Sequence, residues 1–196
     1  VPLAAGANQY WFYVNNNTSL WVADPANAPI YAPAGLTGTA RRAALAGHSM
    51  GSLIALEAAA RAPQRATALV MMGTAYPMQV SDALLATAAA DPLRAMQMVN
   101  AWSISSLATK PGYPSPGSWL HGGALALMRR VQDAAPAGSN LFLHDFQACN
   151  AYRGGLEAAA RVRCPVTLVL GRQDQMTPPR ATREITAALK ARVVTG

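Results

Sequence analysis

The pentapeptide Gly47-His48-Ser49-Met50-Gly51 constrains this chain more than any other segment. A short apolar run, Ala43 to Ala46, leads into it, and good helix formers follow it until Pro63 ends them. A G-x-S-x-G segment between a strand and a helix forms a tight turn from which the serine hydroxyl stands clear of the sheet. We therefore expect a strained backbone at Ser49, and we expect side chains at either glycine to collide in the turn.

Strands and helices alternate after this turn and again near the end of the chain. Apolar runs from Ala66 to Met72 and from Val166 to Leu170 predict strands, and Arg192-Val193-Val194 starts one more. A helix is predicted from Pro178-Pro179 to about Ala191. Continuous apolar runs are typical of a parallel sheet covered by helices on both faces, so the fold class is α/β with a mostly parallel sheet.

Between Tyr76 and Tyr152 the alternation stops and helical segments follow one another. Ser81 and Asp91-Pro92 have the residue types of helix starts, and Asn140 is a candidate cap for the last helix. A Pro- and Gly-rich loop at 110–117 precedes another helix that begins near Ser118. This pattern predicts a helical cap inserted into the α/β core.

The first forty residues differ from the rest. Aromatic and β-branched runs, Tyr10 to Val14 and Leu20 to Ala23, flank a polar turn, which predicts a β-hairpin, and 24–39 reads as loop. The predicted organisation is an atypical N-terminal segment at 1–40, a core made of 41–76 and 152–196, and the cap at 77–151.

Composition excludes several classes of function. The chain of 196 residues is 52% hydrophobic and 13% charged, so it is globular, and no apolar run is long enough to span a membrane. The net charge of +7 comes mostly from single arginines on Ala-rich helical stretches, whereas nucleic-acid binding needs a concentrated basic stripe. There is no nucleotide-binding loop and no metal-ligand spacing, so we expect no cofactor and no metal.

The two cysteines indicate a reduced setting. Cys149 and Cys164 are too few for a disulfide framework and match no zinc or redox motif, so a cytoplasmic location is expected. The chain begins with Val1 rather than Met and lacks the charged region of a signal peptide, and we expect its true start to lie further upstream.

From Arg42 to Val194 the sequence resembles the α/β-hydrolase superfamily, in the branch of small serine esterases and related hydrolases with a helical cap. Residues 42–51 resemble the family's nucleophile strand and elbow, and residues 164–179 resemble the later strand whose end presents the catalytic acid. The resemblance implies that Ser49 is the nucleophile and Asp174 the acid, in the family's chain order. The backbone N–H of Met50, at the helix N-terminus, is the expected oxyanion-hole donor.

Asp174 also fits this role by its position. It lies just beyond a predicted strand end, on the sheet edge expected to carry Ser49, where a carboxylate can orient an imidazole. One imidazole between them predicts a separation of roughly 7–9 Å between the carboxylate and hydroxyl oxygens. The alternative is that Asp174 only caps the helix at Pro178. Because relatives that open epoxides or remove halide have aspartate at the elbow, Ser49 disfavours those chemistries.

The resemblance also implies parts that this sequence lacks. The triad histidine is expected after the strand at 192–194, and the sequence ends at Gly196. His48 is interpreted as a packing residue, and His121 and His144 as bystanders in the cap. Since the family's earlier strands are missing too, the chain is predicted to be truncated at both ends, with its elbow strand exposed at a sheet edge unless the hairpin covers it.

We therefore expect a serine hydrolase that acts on a small-molecule carboxylic ester or related acyl substrate, with activity impaired by the missing histidine. The alternatives are a non-catalytic binding protein of the same fold, or a truncated fragment without function. The resemblance does not separate an esterase from the superfamily's cofactor-free haloperoxidases, C–C bond hydrolases and acyltransferases. The substrate and the oligomeric state also stay open. Five cap residues either roof an apolar acyl pocket or pack the cap: Trp102, Trp119, Met128, Phe142 and Phe146.

Overall fold

The computed structural model describes residues 13–15, 21–23, 42–103, 110–113 and 115–196. The chain divides into two compact units, residues 1–43 and residues 44–196. In the first unit, strands β1 (Tyr13–Asn15) and β2 (Trp21–Ala23) pair antiparallel, with Val14 opposite Val22. The predicted hairpin is confirmed over these residues, whereas its turn and the loop at 24–39 lie outside the described residues.

A four-stranded sheet is the centre of the fold, and its strands follow one another in chain order. They are β3 (Ala43–His48), β4 (Ala66–Met72), β5 (Val166–Leu170) and β6 (Arg192–Thr195). The sheet is parallel, with Leu69 opposite Val166 and Thr167 opposite Arg192. The predicted α/β class and parallel sheet are therefore confirmed. Among the described strands β3 has a neighbour on one side only, as expected for an edge.

Helix α1 (Met50–Arg61) begins at the residue after Ser49 and packs against β4. Leu53, Leu56 and Ala60 are buried at helical spacing, which gives the helix one apolar face. A leucine buried in this way contributes roughly 1.5–3 kcal/mol. This packing fixes the position of the helix N-terminus, and with it the turn that contains Ser49.

Four described helices lie between β4 and the return of the chain to the sheet. They are α2 (Asp82–Ala90), α3 (Pro92–Ser103), α4 (Leu120–Asp133) and α5 (Leu141–Ala151). They contact one another, and Leu84, Ala88 and Ala95 form a small buried cluster of their own. The inserted helical cap predicted from the sequence is confirmed.

The predicted helix starts are confirmed by their hydrogen bonds. Ser81 Oγ accepts from the Leu84 N–H at 3.3 Å, and Asp91 Oδ1 accepts from the Arg94 N–H at 3.0 Å. Asn140 Oδ1 accepts from the Leu143 N–H at 3.0 Å. Each side chain satisfies an N–H group that the helix itself leaves without an acceptor.

The chain returns to the core through helix α6 (Gly155–Arg161), which the sequence analysis did not single out. The sequence feature that could have predicted this helix is an Ala-rich segment with opposite charges four residues apart, at Glu157 and Arg161. In the structure these two side chains form an ion pair at 2.5 Å. The helix predicted from Pro178 to about Ala191 is shorter: a 3₁₀ turn, Pro179–Thr182, precedes α7 (Arg183–Leu189). It ends early because Lys190 adopts a left-handed conformation, a common helix terminator.

Two tyrosines join the end of the cap to the core. The Tyr76 hydroxyl donates to the Arg153 carbonyl and accepts from the Gly155 N–H at 3.1 Å. The Tyr152 hydroxyl donates to Glu57 of α1 at 2.8 Å, and the two tyrosine rings meet edge to face with centroids 6.0 Å apart. Residues 152–155 are thereby held against both α1 and the loop that follows β4.

Candidate active site

Ser49 occupies the turn between β3 and α1 with φ 52° and ψ −126°. Left-handed φ is unfavourable for any residue with a Cβ, so the surrounding structure must hold this conformation. The Ser49 N–H donates to the Met72 carbonyl at the end of β4, at 2.9 Å. The strained backbone predicted at this position is confirmed.

Two buried hydroxyl groups hold the turn from below. Ser52 Oγ donates to the Ser49 carbonyl at 2.5 Å, and Thr74 Oγ1 donates to Ser52 Oγ at 2.7 Å. Ser52 and Thr74 are both 0% exposed. This chain of hydrogen bonds connects the loop after β4 to the strained carbonyl. The sequence analysis missed this chain, because Ser52 and Thr74 are far apart in the sequence and no local pattern indicates that they meet.

The two glycines of the turn differ in what they permit. A Cβ on Gly47 would lie 2.0 Å from the Gly51 carbonyl oxygen, so no side chain fits there. A Cβ on Gly51 would meet nothing within 4 Å. The expected collision is confirmed for Gly47 and is wrong for Gly51, because Gly51 already lies in α1 and its side-chain position faces open space.

Met50 is the first residue of α1. The N–H groups of a first helical turn have no acceptor within the helix, and the helix dipole places partial positive charge there. A developing negative charge beside Ser49 would therefore find a donor in place. The role of Met50 as an oxyanion-hole donor stays a prediction.

Asp174 lies four residues beyond the end of β5, and its own loop fixes its carboxylate. Oδ1 accepts from the N–H groups of Met176 and Thr177 at 2.9 and 2.8 Å, and Oδ2 accepts from the Thr177 hydroxyl at 2.7 Å. The helical turn that begins at Pro179 has no side-chain cap. Asp174 thus stabilises a loop turn and is not the helix cap considered as its alternative role.

The last residue of β3 and the loops that follow β4 and β5 meet at Gly73. A Cβ on Gly73, which has φ 52°, would lie 3.1 Å from His48 Nε2 and 3.5 Å from the Thr177 hydroxyl. Neighbouring strands are about 4.8 Å apart, so the axes of β3 and β5 are separated by about 10 Å. Ser49 and Asp174 therefore follow the carboxyl ends of strands at one edge of the sheet. The separation of 7–9 Å between their oxygens stays a prediction.

The three histidines lie in different surroundings. His48 packs its ring beside Gly73, as a packing residue would, but is largely exposed. His121 stacks on Trp119 with ring centroids 6.2 Å apart, and His144 has a buried Nε2 without a hydrogen bond. Gly196 donates to the Leu170 carbonyl and accepts from the Arg172 N–H, which places it at the sheet edge where the loop of Asp174 begins.

The five cap residues considered for an acyl pocket divide into three groups. Phe142 and Phe146 meet edge to face with centroids 4.5 Å apart and pack on the buried cap cluster. Trp102 and Trp119 are 41% and 51% exposed. Met128 lines a cavity within the cap, which Phe142 also borders. The packing interpretation therefore holds for the two phenylalanines.

Metal sites and membrane-spanning helices each have a structural requirement that can be compared with the described part of the chain. No three His, Cys, Asp or Glu side chains there are grouped as a metal ion requires. Each helix in the described ranges is too short or too polar to cross a membrane.

Comparison with solved structures shows the fold. An esterase from Exiguobacterium antarcticum matches with a TM-score of 0.63 and 16% identity, over 79% of this chain and 58% of that one. An enol-lactonase from Burkholderia xenovorans matches with a TM-score of 0.60 and 20% identity, over 79% and 57%. A hydrolase from Pseudomonas aeruginosa matches with a TM-score of 0.60 and 22% identity, over 80% and 57%.

The chain thus spans less than two thirds of the length of these structures. No curated protein sequence matches it significantly. Residues 37–195 match the family model described as alpha/beta hydrolase fold. Because this match extends over most of the sequence, the chain belongs to the α/β-hydrolase fold family.

Proposed function

We propose that this chain carries the nucleophile and the acid of a serine hydrolase that cleaves a carboxylic ester or a related acyl substrate. The observation that carries the proposal is the conformation of Ser49, held at left-handed φ between β3 and the first residue of α1. Residues held in strained conformations cluster at active sites. Ser49 attacks the carbonyl, the Met50 N–H stabilises the oxyanion, and Asp174 orients an imidazole.

The substrate class is supported by the names of similar structures. One is an esterase and another an enol-lactonase, and both names describe cleavage of an ester bond. The identities, 16% and 20%, establish the fold alone, so the ester is our inference. It agrees with a serine at the elbow, since a serine hydroxyl forms an acyl intermediate with such substrates.

We further propose that the catalytic base is not among the histidines of this chain, and that the chain is therefore nearly inert. A neutral serine hydroxyl is a poor nucleophile without a base to accept its proton. The surroundings of the three histidines support this view: His48 lies beside Gly73, His121 stacks on Trp119, and His144 lies on the cap helix α5. The whole arrangement comprises a core of 41–76 and 152–196, a cap of 77–151, and a separate N-terminal segment of 1–40.

Chemical rescue by free imidazole tests these roles. The chain is incubated with a fluorophosphonate probe, with and without imidazole, and labelling of Ser49 is measured by mass spectrometry. We expect imidazole to accelerate labelling, and we expect Ser49→Ala to abolish it. Asp174→Asn should lower the rescue about tenfold, which corresponds to about 1.4 kcal/mol of lost orientation. Ser115→Ala, a change of an exposed loop serine, is the matched control and should have no effect.

Two outcomes would contradict the proposal. If imidazole does not accelerate labelling at Ser49, the turn is not a working nucleophile site and a binding protein of this fold becomes the better interpretation. If p-nitrophenyl esters are hydrolysed rapidly without imidazole and Ser49→Ala abolishes this activity, the base is present in the chain. His144→Ala is then the next variant to measure.

A further inference from the structure

Helix α4 (Leu120–Asp133) has 14 residues, and none of them is buried. The other three described cap helices each bury at least one residue. A helix of this length is marginal in water by itself and is stabilised mainly by packing of an apolar face. α4 packs on α3, and Gln132 joins its end to α5 by accepting from the Leu141 N–H at 3.0 Å. These contacts occupy only one side of the helix.

An apolar stripe runs along another side of α4 and faces solvent. It consists of Leu120, Ala124, Leu127 and Val131, which follow one another at steps of four, three and four residues. At about 100° per residue, these side chains lie within about 60° of the helix circumference. Leu120, Leu127 and Val131 are 46%, 61% and 50% exposed. Single exposed apolar residues are common, but a narrow line with this spacing is typical of a helix that pairs with another helix.

The order of residues in the stripe fits a second copy of the same helix. Steps of four, three and four residues are the same when they are counted from either end. Two antiparallel copies of α4 therefore place Leu120 opposite Val131, and Ala124 opposite Leu127. The small alanine leaves room for the large leucine, so the two stripes interdigitate. A contact of this kind uses the same surface of both chains and closes with two of them.

The residues beside the stripe favour the antiparallel orientation. Gly123 and Arg130 lie along one flank, and His121 and Met128 lie along the other, where they are half-buried against the cap. In an antiparallel pair Arg130 faces Gly123 of the second copy, which leaves room for its side chain, and the two Arg130 side chains are about 13 Å apart along the axis. A parallel pair would turn Arg130 toward the flank that the cap already occupies.

We infer that α4 pairs antiparallel with α4 of a second copy of this chain, so that the protein forms a dimer through its cap. The helix is about 21 Å long, so the contact is smaller than the standard protein interface of about 1,200–2,000 Å². The dimer is therefore reversible, with a dissociation constant on the order of 100 µM. The inference does not depend on the proposed hydrolase function, since Ser49 and Asp174 lie outside α4.

Sedimentation equilibrium between about 10 µM and about 1 mM tests the inference. All measurements use the full chain with Ala44→Lys, which places a charge on the edge strand β3 and so prevents association there. We expect the measured mass to rise from one chain toward two as the concentration increases. Leu127→Lys should remain a monomer throughout. Ala126→Lys adds the same charge at the neighbouring exposed position, outside the stripe, and should dimerise as before.

Disulfide cross-linking tests the orientation. Leu120→Cys and Val131→Cys are made in separate chains, each with Cys149→Ser and Cys164→Ser, and are oxidised alone or after mixing. In the antiparallel pair these positions lie opposite each other, so we expect the mixture to form a linked dimer. Each variant alone should not, because its two cysteines are about 16 Å apart along the axis, beyond the reach of a disulfide.

Three outcomes would overturn the inference. The first is a mass that stays that of one chain at about 1 mM, and the second is dimerisation of Leu127→Lys with the affinity of the parent chain. The third is faster cross-linking of Leu120→Cys alone than in the mixture, which indicates a parallel pair. If the monomer instead sediments with vesicles of phosphatidylcholine and phosphatidylglycerol, and Leu127→Lys abolishes this, then the stripe binds a lipid surface and the dimer is wrong.

Discussion

At the scale of single residues, the turn at Ser49 is crowded at the glycine before the serine and open at the glycine after it. Gly47 faces the backbone of Gly51 at a distance that excludes any side chain, whereas Gly51 faces open space. The Ser49 carbonyl is held by Ser52, whose hydroxyl is in turn held by Thr74. The strained conformation is therefore held by one glycine, one chain of hydroxyl groups and the bond from the Ser49 N–H to the Met72 carbonyl.

The glycine pair makes a matched test. Gly47→Ala should destabilise the protein by about 3 kcal/mol or more, because its Cβ would overlap the Gly51 carbonyl. Gly51→Ala should stabilise it by about 0.5–1 kcal/mol, since alanine favours the helix and fits the available space. Urea unfolding followed by circular dichroism measures both changes. Equal losses for the two variants would contradict the asymmetry.

The hydroxyl chain is tested by a double-mutant cycle. Ser52→Ala and Thr74→Val should each destabilise the protein by about 1–3 kcal/mol, because each leaves a buried hydrogen-bonding group without its partner. The double variant should lose less than the sum, by about 1 kcal/mol, since the two side chains share one bond. Thr74→Ser, which keeps the hydroxyl, should lose less than Thr74→Val. Additive losses in urea unfolding would show that the two groups act independently.

At the scale of helices and strands, the end of the cap is held by polar contacts. Tyr76 binds the backbone at Arg153 and Gly155, and Tyr152 binds Glu57. Burial, and then the hydrogen bond to Glu57, raise the pKa of Tyr152, so its hydroxyl stays protonated and remains a donor at any ordinary pH. Opening of the cap requires these bonds to break.

Cys149 on α5 reports such opening. Burial, helped by the charge of Asp145, raises its pKa to about 11, so at pH 8 only about one thiol in a thousand is the reactive thiolate. We expect Cys149 to react with Ellman's reagent far more slowly than Cys164, and faster as the pH rises toward 11. Variants Cys164→Ser and Cys149→Ser allow each thiol to be followed alone.

Tyr152→Phe connects this reactivity to the hydrogen bond. Loss of the bond to Glu57 should accelerate Cys149 labelling about tenfold, as expected for about 1–1.5 kcal/mol of lost protection. Tyr113→Phe, in an exposed loop, is the control and should change nothing. If Cys149 and Cys164 react at the same rate in the chain without the Tyr152 substitution, then the cap does not protect Cys149.

The sequence was most informative where the determinants are local. Strands β4 and β5 begin and end as predicted, because their apolar runs are continuous and bounded by glycine. The caps at Ser81 and Asn140 were predictable for the same reason, since each bonds an N–H three residues away. The Ser52–Thr74 bond was not, because it joins residues that only the fold brings together. Asp174 lies in the loop after β5 as predicted, and its bonds to Met176 and Thr177 rule out the helix cap that was the alternative for it.

At the scale of the whole molecule, we expect the position of β3 at the edge of the sheet to favour association between chains. The chain spans 57–58% of the length of the similar structures, and among the described strands β3 has β4 as its neighbour on one side only. Ala44 and Ala46 of this strand are exposed. An apolar edge strand is a template for pairing with another chain.

Charge on this strand should therefore reduce association. We expect Ala44→Lys to lower light scattering of concentrated solutions while leaving the circular dichroism spectrum unchanged. Thr67→Lys adds the same charge at an exposed position of β4 and should have a smaller effect. If both substitutions reduce scattering equally, net charge rather than the edge controls association.

The hydrogen bonds of Gly196 have a practical consequence. Its N–H and carbonyl are both fixed to the backbone beside the loop of Asp174, so a peptide fused to this residue starts from a rigid point. Libraries of short histidine-containing extensions can therefore be displayed from this scaffold and selected with an ester probe. Under the proposed function, a successful extension would supply the imidazole that Asp174 orients.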